Sequence, residues 1–332
     1  MRVLPFEQGI DKDSLEEIEN LVRQWRTLFP KNDQMRIAQE SYDEDFLVRM
    51  AYNSNAIEGS TLTLADTEIV YEGEFVPGKP GREQIAARGL FEGAAFVKAL
   101  IEDGMPLDEE HLRDLHECCA LDLQPSARGM YRSAPAIIRA SRTTPASPLK
   151  IREEMANLFY QAHVLFEEKV PLAVIPWFHA SFENIHPFAD GNGRVGRLWM
   201  NAQLQKWAYP PICIKVDHGA EYKAALEAWQ VEAYPEPFMK LFFGFLKDEL
   251  EKRIAFLSQD VSCKADFSQV KNGIEVLGVL YYQPSVTASS LGKILGLSER
   301  QVQRILKALS SEGHIKRVGS ARKGAWVIID RR

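Results

Sequence analysis

A twelve-residue stretch, His186-Pro-Phe-Ala-Asp-Gly-Asn-Gly-Arg-Val-Gly-Arg197, constrains the fold of this chain more than any other. The apolar segment before it, Pro176 to Ile185, predicts a helix that ends at His186, because Pro187 disfavours helical geometry in the residue that precedes it. The glycines allow the backbone to approach a ligand closely. A second helix is predicted to begin near Gly193 or Arg194, with its free N–H groups and positive dipole end aimed at the same place. The stretch therefore predicts a helix, a loop and a helix around an anion site, and phosphate is the usual anion.

The side chains of this stretch add chemistry to that backbone. Arg194 and Arg197 are three residues apart, so on a helix they share one face and can hold neighbouring phosphates. Asp190 offers a hard oxygen ligand of the kind that Mg²⁺ prefers. His186 offers a base that titrates near neutral pH, which phosphate binding alone does not require.

Two alternatives compete with this interpretation. Gly191-Asn-Gly-Arg-Val-Gly196 satisfies GxGxxG, the dinucleotide-binding fingerprint. That fingerprint needs a preceding strand, whereas Trp177 to Ile185 has the pattern of an amphipathic helix. The other alternative is an incidental polar loop, and the residues alone leave it open.

The stretch matches, residue for residue, the HxFx(D/E)GNGRxxR signature of the Fic family, whose members mostly transfer AMP from ATP to protein hydroxyls. The resemblance extends over roughly residues 1–255. Gly129-Met-Tyr-Arg132 resembles the start of the family's substrate-binding flap, and Ser54-Asn-Ala-Ile-Glu58-Gly59 fits its inhibitory (S/T)xxxE(G/N) motif. The flanking pattern is similar at His179, Phe182, Met200, Asn201, Pro210, Pro211, Tyr222 and Leu226.

The resemblance implies a mainly α fold, a Fic-type helical bundle with a short β-hairpin flap, and transfer of AMP from Mg²⁺-bound ATP to a Ser, Thr or Tyr hydroxyl of a target protein. It implies that His186 is the general base and that Asp190 holds Mg²⁺. The implied nucleotide-binding residues are Asn192, Gly193, Arg194, Arg197 and Tyr222.

Glu58 is the implied inhibitory residue. It follows a helix predicted from about Asp43 to Ile57, where a carboxylate opposes the helix dipole by ~0.3–1 kcal/mol unless a basic group offsets it. Ser54 lies four residues earlier, on the same face. In the family the corresponding glutamate pairs with the second arginine of the signature, here Arg197. Some relatives with this glutamate remove AMP from modified proteins, with the glutamate orienting water, and that alternative stays open.

Residues 126–147 lose the helical period and hold Gly129, Pro135 and Pro145. We interpret them as the flap hairpin, which in Fic proteins binds the target by strand-like backbone pairing. Ile137-Ile-Arg-Ala140 departs from the family's more glycine-rich flap, which leaves the target open. The implied partner is a target protein bound near residues 129–141. Self-modification and a homodimer are further options.

The sequence predicts three parts: an N-terminal helical region with the inhibitory motif (1–105), the Fic catalytic core (106–258) and a C-terminal winged helix-turn-helix domain (263–332). From Cys263 onward there are 12 Lys and Arg against 5 Asp and Glu, a charge of +7, which leaves −13 on the remainder. Ser298-Glu-Arg-Gln301 fits a capping box at a helix start. Residues 314–318 and 325–329 are predicted strands around a turn with Arg322 and Lys323.

That arrangement resembles the winged helix of many DNA-binding regulators. Its recognition-like helix offers Arg300, Gln303, Arg304 and Lys307. DNA binding and protein contact both remain open for this part. A DNA-bound regulator with a nucleotide-sensing core is therefore the rival to an enzyme.

The cysteines and the apolar runs of the sequence indicate where in the cell the protein is expected. Cys118, Cys119, Cys213 and Cys263 show neither metal nor redox spacing, which indicates a reducing cytoplasm. No run approaches the ~18 apolar residues of a membrane span, and residues 1–8 lack the apolar region of a signal peptide. His111 and His116 are predicted to be structural or exposed.

Overall fold

The structure, a computed structural model, describes residues 2–6, 11–259, 270–319 and 324–329. These residues form a mainly helical fold with one small two-stranded antiparallel sheet, as the sequence predicted for the fold class. The helices are α1 (Lys12–Thr27), α2 (Asp33–Ile57), α3 (Leu64–Tyr71), α4 (Gly81–Glu102), α5 (Glu109–Cys119), α6 (Ile151–Glu168), α7 (Pro171–Ile185), α8 (Asn192–Lys206), α9 (Gly219–Glu232), α10 (Glu236–Leu257), α11 (Gly273–Tyr282), α12 (Ala288–Leu295) and α13 (Glu299–Ser311), and the strands are β1 (Ile315–Val318) and β2 (Ala325–Ile328).

Helix α7 is the centre of the main core. Every side chain from Leu172 to Ile185 is buried, and a helix that is buried on all sides must be enclosed by others, here α6, α8 and α9. The sequence predicted a start at Pro176, but the helix begins at Pro171. Proline suits the first helical position, where its missing N–H has no partner to lose. Pro176 lies inside the helix and gives up one backbone hydrogen bond, and its packing on all sides compensates.

Helix α2 is ten residues longer at its N-terminus than the sequence predicted, beginning at Asp33 rather than Asp43. The Asn32 side chain caps it by accepting a hydrogen bond from the Met35 N–H at 2.8 Å. The buried Arg253 of α10 donates to Asp43 at 2.6 Å and thereby fixes the first half of the helix. This long helix carries Glu58 at its C-terminal end.

The flap hairpin predicted over residues 126–147 is not formed. This segment contains a 3₁₀ turn at Pro125–Ala127 and a single antiparallel bridge between Tyr131 and Phe188. Side chains instead make the hydrogen bonds to the backbone N–H and carbonyl groups of this segment. Arg132 donates to the carbonyls of Ala134 and Ala146, and Glu227 of α9 accepts from the Arg142 N–H at 2.8 Å. The two strands of the described residues lie in the C-terminal part.

In that C-terminal part, Ser298 and Gln301 form the predicted capping box, and β1 pairs with β2 from Ile315↔Ile328 to Val318↔Ala325. Residues 260–269, with Cys263 and the predicted start of a helix at 268, lie outside the described residues. Arg322 and Lys323 of the predicted turn also lie outside them.

The C-terminal helices pack directly on the rest of the molecule. Phe29 and Ala208 belong to the same apolar cluster as α11, α12 and α13. Trp25 stacks on Tyr282 with ring centroids 4.4 Å apart. Gly278 lies so close to α1 that a Cβ there would stand 2.1 Å from the Arg26 carbonyl oxygen. Among the described helices, none combines the length and apolar character that a membrane crossing requires.

Candidate active site

His186 stands where α7 ends, in the left-handed backbone region at φ 53°, ψ 61°. A non-glycine residue there stores ~1–3 kcal/mol, so its surroundings must hold it. The His186 N–H donates to the Phe182 carbonyl at 2.9 Å, and Arg132 donates through Nε to the His186 carbonyl at 2.8 Å. Burial lowers the pKa of His186 to about 4. The Glu183 carbonyl raises the pKa, but its effect is smaller than that of burial. The imidazole is therefore neutral near pH 7 and can accept a proton.

The loop after His186 is held by its own side chains. Asn192 accepts from the Phe188 N–H at 2.8 Å and donates to the Phe188 carbonyl at 2.9 Å. Both ends of the amide are thus used inside the loop. The Asn192 side chain thereby fixes Phe188, which is fully buried.

His116 connects the flap segment to this loop. Its ring stacks on Phe188 at 3.8 Å, its Nδ1 accepts from the Gly129 N–H at 2.8 Å, and its Nε2 lies 3.1 Å from the Asp190 carbonyl oxygen. Burial lowers the pKa of His116 to about 4, which favours the neutral ring that these two contacts need. The prediction of a structural histidine is consistent with this, but its position at the site was not predicted.

Helix α8 begins at Asn192, one residue before the predicted start, with Gly191 as its cap at φ 80°. The Glu58 carboxylate lies over its first turn. A Cβ on Gly193 would stand 2.3 Å from Glu58 Oε1, so a larger residue there would displace the Glu58 carboxylate. Glu58 therefore occupies the positive end of the helix, where the sequence predicted a phosphate.

Arg197 is buried between α2 and α8, and two of its guanidinium nitrogens donate to α2 and to the residue that caps it. Its Nη2 donates to Glu58 Oε1 at 2.8 Å and to the Ser54 carbonyl at 2.9 Å, and its Nε donates to Ser54 Oγ at 3.0 Å. Burial opposes ionisation of Glu58, but the Arg197 charge outweighs it and lowers the pKa of that carboxyl. The structure thus brings the two residues of the inhibitory motif onto the second arginine of the signature.

Arg194 also has a carboxylate partner, which the sequence did not reveal. Its Nη1 and Nη2 donate to the two oxygens of Asp122 at 2.7 and 3.2 Å, and both side chains are buried. Such a two-point contact fixes the plane of the guanidinium. Removing one partner of a buried pair costs ~3–5 kcal/mol, so Asp122 is part of the frame that orients Arg194.

Asp190 is half exposed at the rim, at 51% of its side-chain surface. Arg82 of α4 donates to its carboxylate at 2.7 Å and reaches Asp122 at 3.3 Å. In the described ranges there is no group of three His, Cys, Asp or Glu side chains that could hold a metal. One carboxylate with phosphates and water is a usual Mg²⁺ environment, so Asp190 fits an ion that arrives with a nucleotide and replaces Arg82.

Tyr222 is enclosed beneath the arginines. Its hydroxyl lies 2.7 Å from His179 Nε2, and His179 Nδ1 lies 3.1 Å from the Gly196 carbonyl oxygen. Tyr222 is buried next to Arg197 and supports α8 from within.

Most of the predicted site residues therefore converge around the start of α8. They are Ser54, Glu58, His186, Asp190, Asn192, Gly193, Arg194 and Arg197, with Tyr222 behind them. Arg132, from the segment predicted to bind the target, also lines the site. Arg82, His116, Asp122 and Glu183 line it too, and the sequence analysis did not identify them as site residues. Arg82, His116 and Asp122 are distant from the signature in the sequence, whereas Glu183 lies three residues before His186.

Comparisons with known proteins agree with this geometry. The chain is 28% identical over 233 residues to protein adenylyltransferase fic-1 of Caenorhabditis elegans, covering 68% of this chain and 44% of the relative. It is 29% identical over 226 residues to protein adenylyltransferase Fic of Nematostella vectensis, covering 67% and 51%. The chain thus spans only about half the length of these curated relatives.

Solved structures show the same fold. A Fic domain-containing signaling protein from Bacteroides thetaiotaomicron is similar with a TM-score of 0.66 at 26% identity, over 73% of this chain and 96% of that one. A Fic family protein from Desulfovibrio desulfuricans has a TM-score of 0.64 at 24% identity over 99% of both chains, a likeness of fold alone. Residues 106–204 match the family model of the Fic/DOC family. Over this domain, the chain is therefore similar to the Fic/DOC family.

Proposed function

We propose that this protein transfers AMP from ATP to a Ser, Thr or Tyr hydroxyl of a target protein, and that Glu58 restrains the reaction. The observation that carries the proposal is the site itself. A neutral, partly buried imidazole lies beside a helix N-terminus whose two arginines are both held by carboxylates. The relatives named protein adenylyltransferases support the same reaction.

In this proposal His186 takes the proton from the target hydroxyl. The oxygen forms a bond to the α-phosphorus, the bond from that phosphorus to the bridging oxygen breaks, and pyrophosphate leaves. Backbone N–H groups at the start of α8 stabilise charge on the transferred group. Arg194 and Arg197 hold the outer phosphates. A Mg²⁺ held by Asp190 would neutralise phosphate charge.

The flap segment offers a surface for the target. Ile137 is 88% exposed, and Met130 is also exposed on the same segment. Large apolar side chains that are exposed to solvent are typical of surfaces that bind another protein. The bridge between Tyr131 and Phe188 connects this surface to the His186 loop, so a bound segment would lie beside the base.

The test is incubation of the purified full chain with Mg²⁺, α-labelled ATP and a cell lysate. We expect label on protein, including the chain itself, and no label when the γ-phosphate carries it instead. Label that leaves a pre-modified protein without any new incorporation would favour removal of AMP, the alternative that the position of Glu58 also allows.

A second candidate function, DNA binding, is favoured by one surface. Arg300, Gln303, Arg304 and Lys307 of α13 are all exposed and lie on one side of that helix. We expect the full chain to bind duplex DNA with an affinity that falls steeply as salt rises. Alanine at Arg300, Arg304 and Lys307 together should flatten that salt dependence. Absence of binding at low salt would assign the C-terminal part to protein contact.

A further inference from the structure

Glu183 is a buried carboxyl that the proposed mechanism does not use. It lies on the last turn of α7, three residues before His186, and only 8% of its surface is exposed. Within the described chain, its Oε1 has no hydrogen-bond partner. An unpartnered carboxyl oxygen in the interior is unfavourable, so its presence calls for a functional reason.

The neighbouring helix makes room for this carboxyl. A Cβ on Gly196 of α8 would stand 2.5 Å from Glu183 Oε1 and 3.1 Å from the Phe182 ring. Any other residue at 196 would therefore push Glu183 out of its place. The gap that Gly196 leaves in α8 is filled by Glu183 and by the Phe182 ring.

His186 has the complementary unsatisfied atom. Its Nδ1 is buried and makes no hydrogen bond of normal geometry with the described residues, although the Glu183 carbonyl is near enough to raise the pKa of His186. Glu183 Oε2 lies 3.7 Å from the same nitrogen. A small rotation of either side chain would bring the two atoms to hydrogen-bond distance. Because Nδ1 faces the interior, Nε2 is the nitrogen left to meet a target hydroxyl.

We propose that Glu183 is a positioning residue, whose carboxylate accepts the Nδ1–H of His186 and so keeps Nε2 unprotonated for the target proton. The proposal rests on the proposed function. When the target hydroxyl transfers its proton to Nε2, the Nδ1–H stays on the ring and the carboxylate stabilises the imidazolium. Glu183 itself gains no proton, which is the arrangement of an acid–histidine pair in nucleophilic enzymes.

The charge state of Glu183 gives a pH signature. Burial raises the pKa of Glu183 to about 8, Arg197 opposes this and Glu58 adds to it. The groups that face it are His186 on its own helix, Arg197 on α8, Glu58 on α2, and Tyr222 and Lys223 on α9. Since the ionised carboxyl is the useful form, the transfer rate should rise as pH increases through about 8.

Two variants test this assignment, with the full chain. Glu183→Gln keeps the shape but cannot ionise, and Glu183→Asp keeps the charge on a shorter arm. We expect Glu183→Gln to lower kcat by about ten- to a hundredfold, part of the ~10²–10⁴-fold that a general base supplies. KM for ATP should stay within about twofold, since ATP binding does not use this carboxyl. Glu183→Asp should recover part of the rate and keep the pH step.

A second readout does not depend on activity. With histidine ring nitrogens labelled with ¹⁵N, and His186 assigned by the His186→Ala variant, we expect the wild-type ring signals to shift in a step near pH 8. That step should vanish in Glu183→Gln. An unchanged step and unchanged kcat in Glu183→Gln would overturn the proposal and assign Nδ1–H to the Glu183 backbone carbonyl. If the step vanishes but no variant transfers AMP, the pair stands and the proposed reaction fails.

Discussion

His186→Ala is expected to lower the rate of AMP transfer by ~10²–10⁴-fold, the usual contribution of a general base. Burial lowers the pKa of His186 to about 4 and so keeps the ring neutral. The alanine variant lacks this ring, which in the proposed reaction takes the proton from the target hydroxyl. The arginines and the start of α8 stay as they are, so ATP affinity should change little. The measurement is labelled AMP incorporation under one Mg²⁺ and ATP concentration, with ATP binding followed separately.

The backbone at His186 does not confound this variant. Alanine tolerates the left-handed region in this chain, since Ala140, Ala208 and Ala233 have φ values of 56°, 54° and 54°. The matched control is His163→Ala, an exposed histidine on α6 remote from the site, which should keep wild-type transfer. Thermal melts of both variants should agree with wild type. A His186→Ala chain that melts normally and still transfers AMP at the wild-type rate would disprove the role of base.

Local chemistry in the sequence predicted the helix ends well. Pro187 stops α7 at His186, and the capping box at Ser298 starts α13. Each signal acts over three or four residues, so a sequence displays it directly. The start of α2 was missed because residues 33–42 are largely polar and carry little apolar periodicity. Asn32 and a buried Arg253 from a distant helix hold that turn instead.

The flap was harder to predict for a related reason. Whether its backbone pairs as a hairpin depends on which side chains compete for its polar groups. Here Arg132 and Glu227 bind polar backbone groups of the segment. Neither residue has a sequence spacing from which these contacts could be predicted. Long-range contacts decided the conformation.

The site itself was predictable where one motif supplied it. His186, Asp190 and the two arginines lie within twelve residues, so the signature carries them together. The charged partners of these residues, Asp122 and Arg82, lie outside the signature. Asp122 reaches Arg194 across 72 positions and Arg82 reaches Asp190 across 108. Only the packing of α4 and α5 against α8 brings these side chains to the site.

Glu58→Gly should raise AMP transfer, including self-modification, by roughly ten- to a hundredfold. Glu58 accepts a hydrogen bond from Arg197 Nη2 and fills the space over the first turn of α8. We expect the outer phosphate of ATP to need both this donor and this space. One charge-assisted contact is worth ~1.5–3 kcal/mol, and competition for it could suppress productive binding by that factor. ATP affinity should change less than the rate, because misaligned ATP can still bind.

Arg197 should remain in place when Glu58 is removed. Ser54 accepts from Arg197 Nε at 3.0 Å and, through its carbonyl, from Nη2 at 2.9 Å, and neither contact involves Glu58. The guanidinium is then free to bind phosphate without a new conformation. Arg197→Ala should lose activity in either background, because it removes the phosphate contact along with the inhibitory one.

Glu72→Gly is the matched control for Glu58→Gly. Glu72 caps the C-terminal end of α3 as Glu58 caps α2, with φ −68° against −87°, and its side chain is exposed. The backbone change is therefore the same while the site is untouched, and Glu72→Gly should transfer AMP at the wild-type rate. If Glu58→Gly is no faster than this control, Glu58 ends α2 without restraining the site. If Glu58→Gly is slower, above all in releasing AMP from a modified protein, the carboxylate orients water for the reverse reaction. In that outcome Glu58 serves removal of AMP from the position that it holds over the first turn of α8.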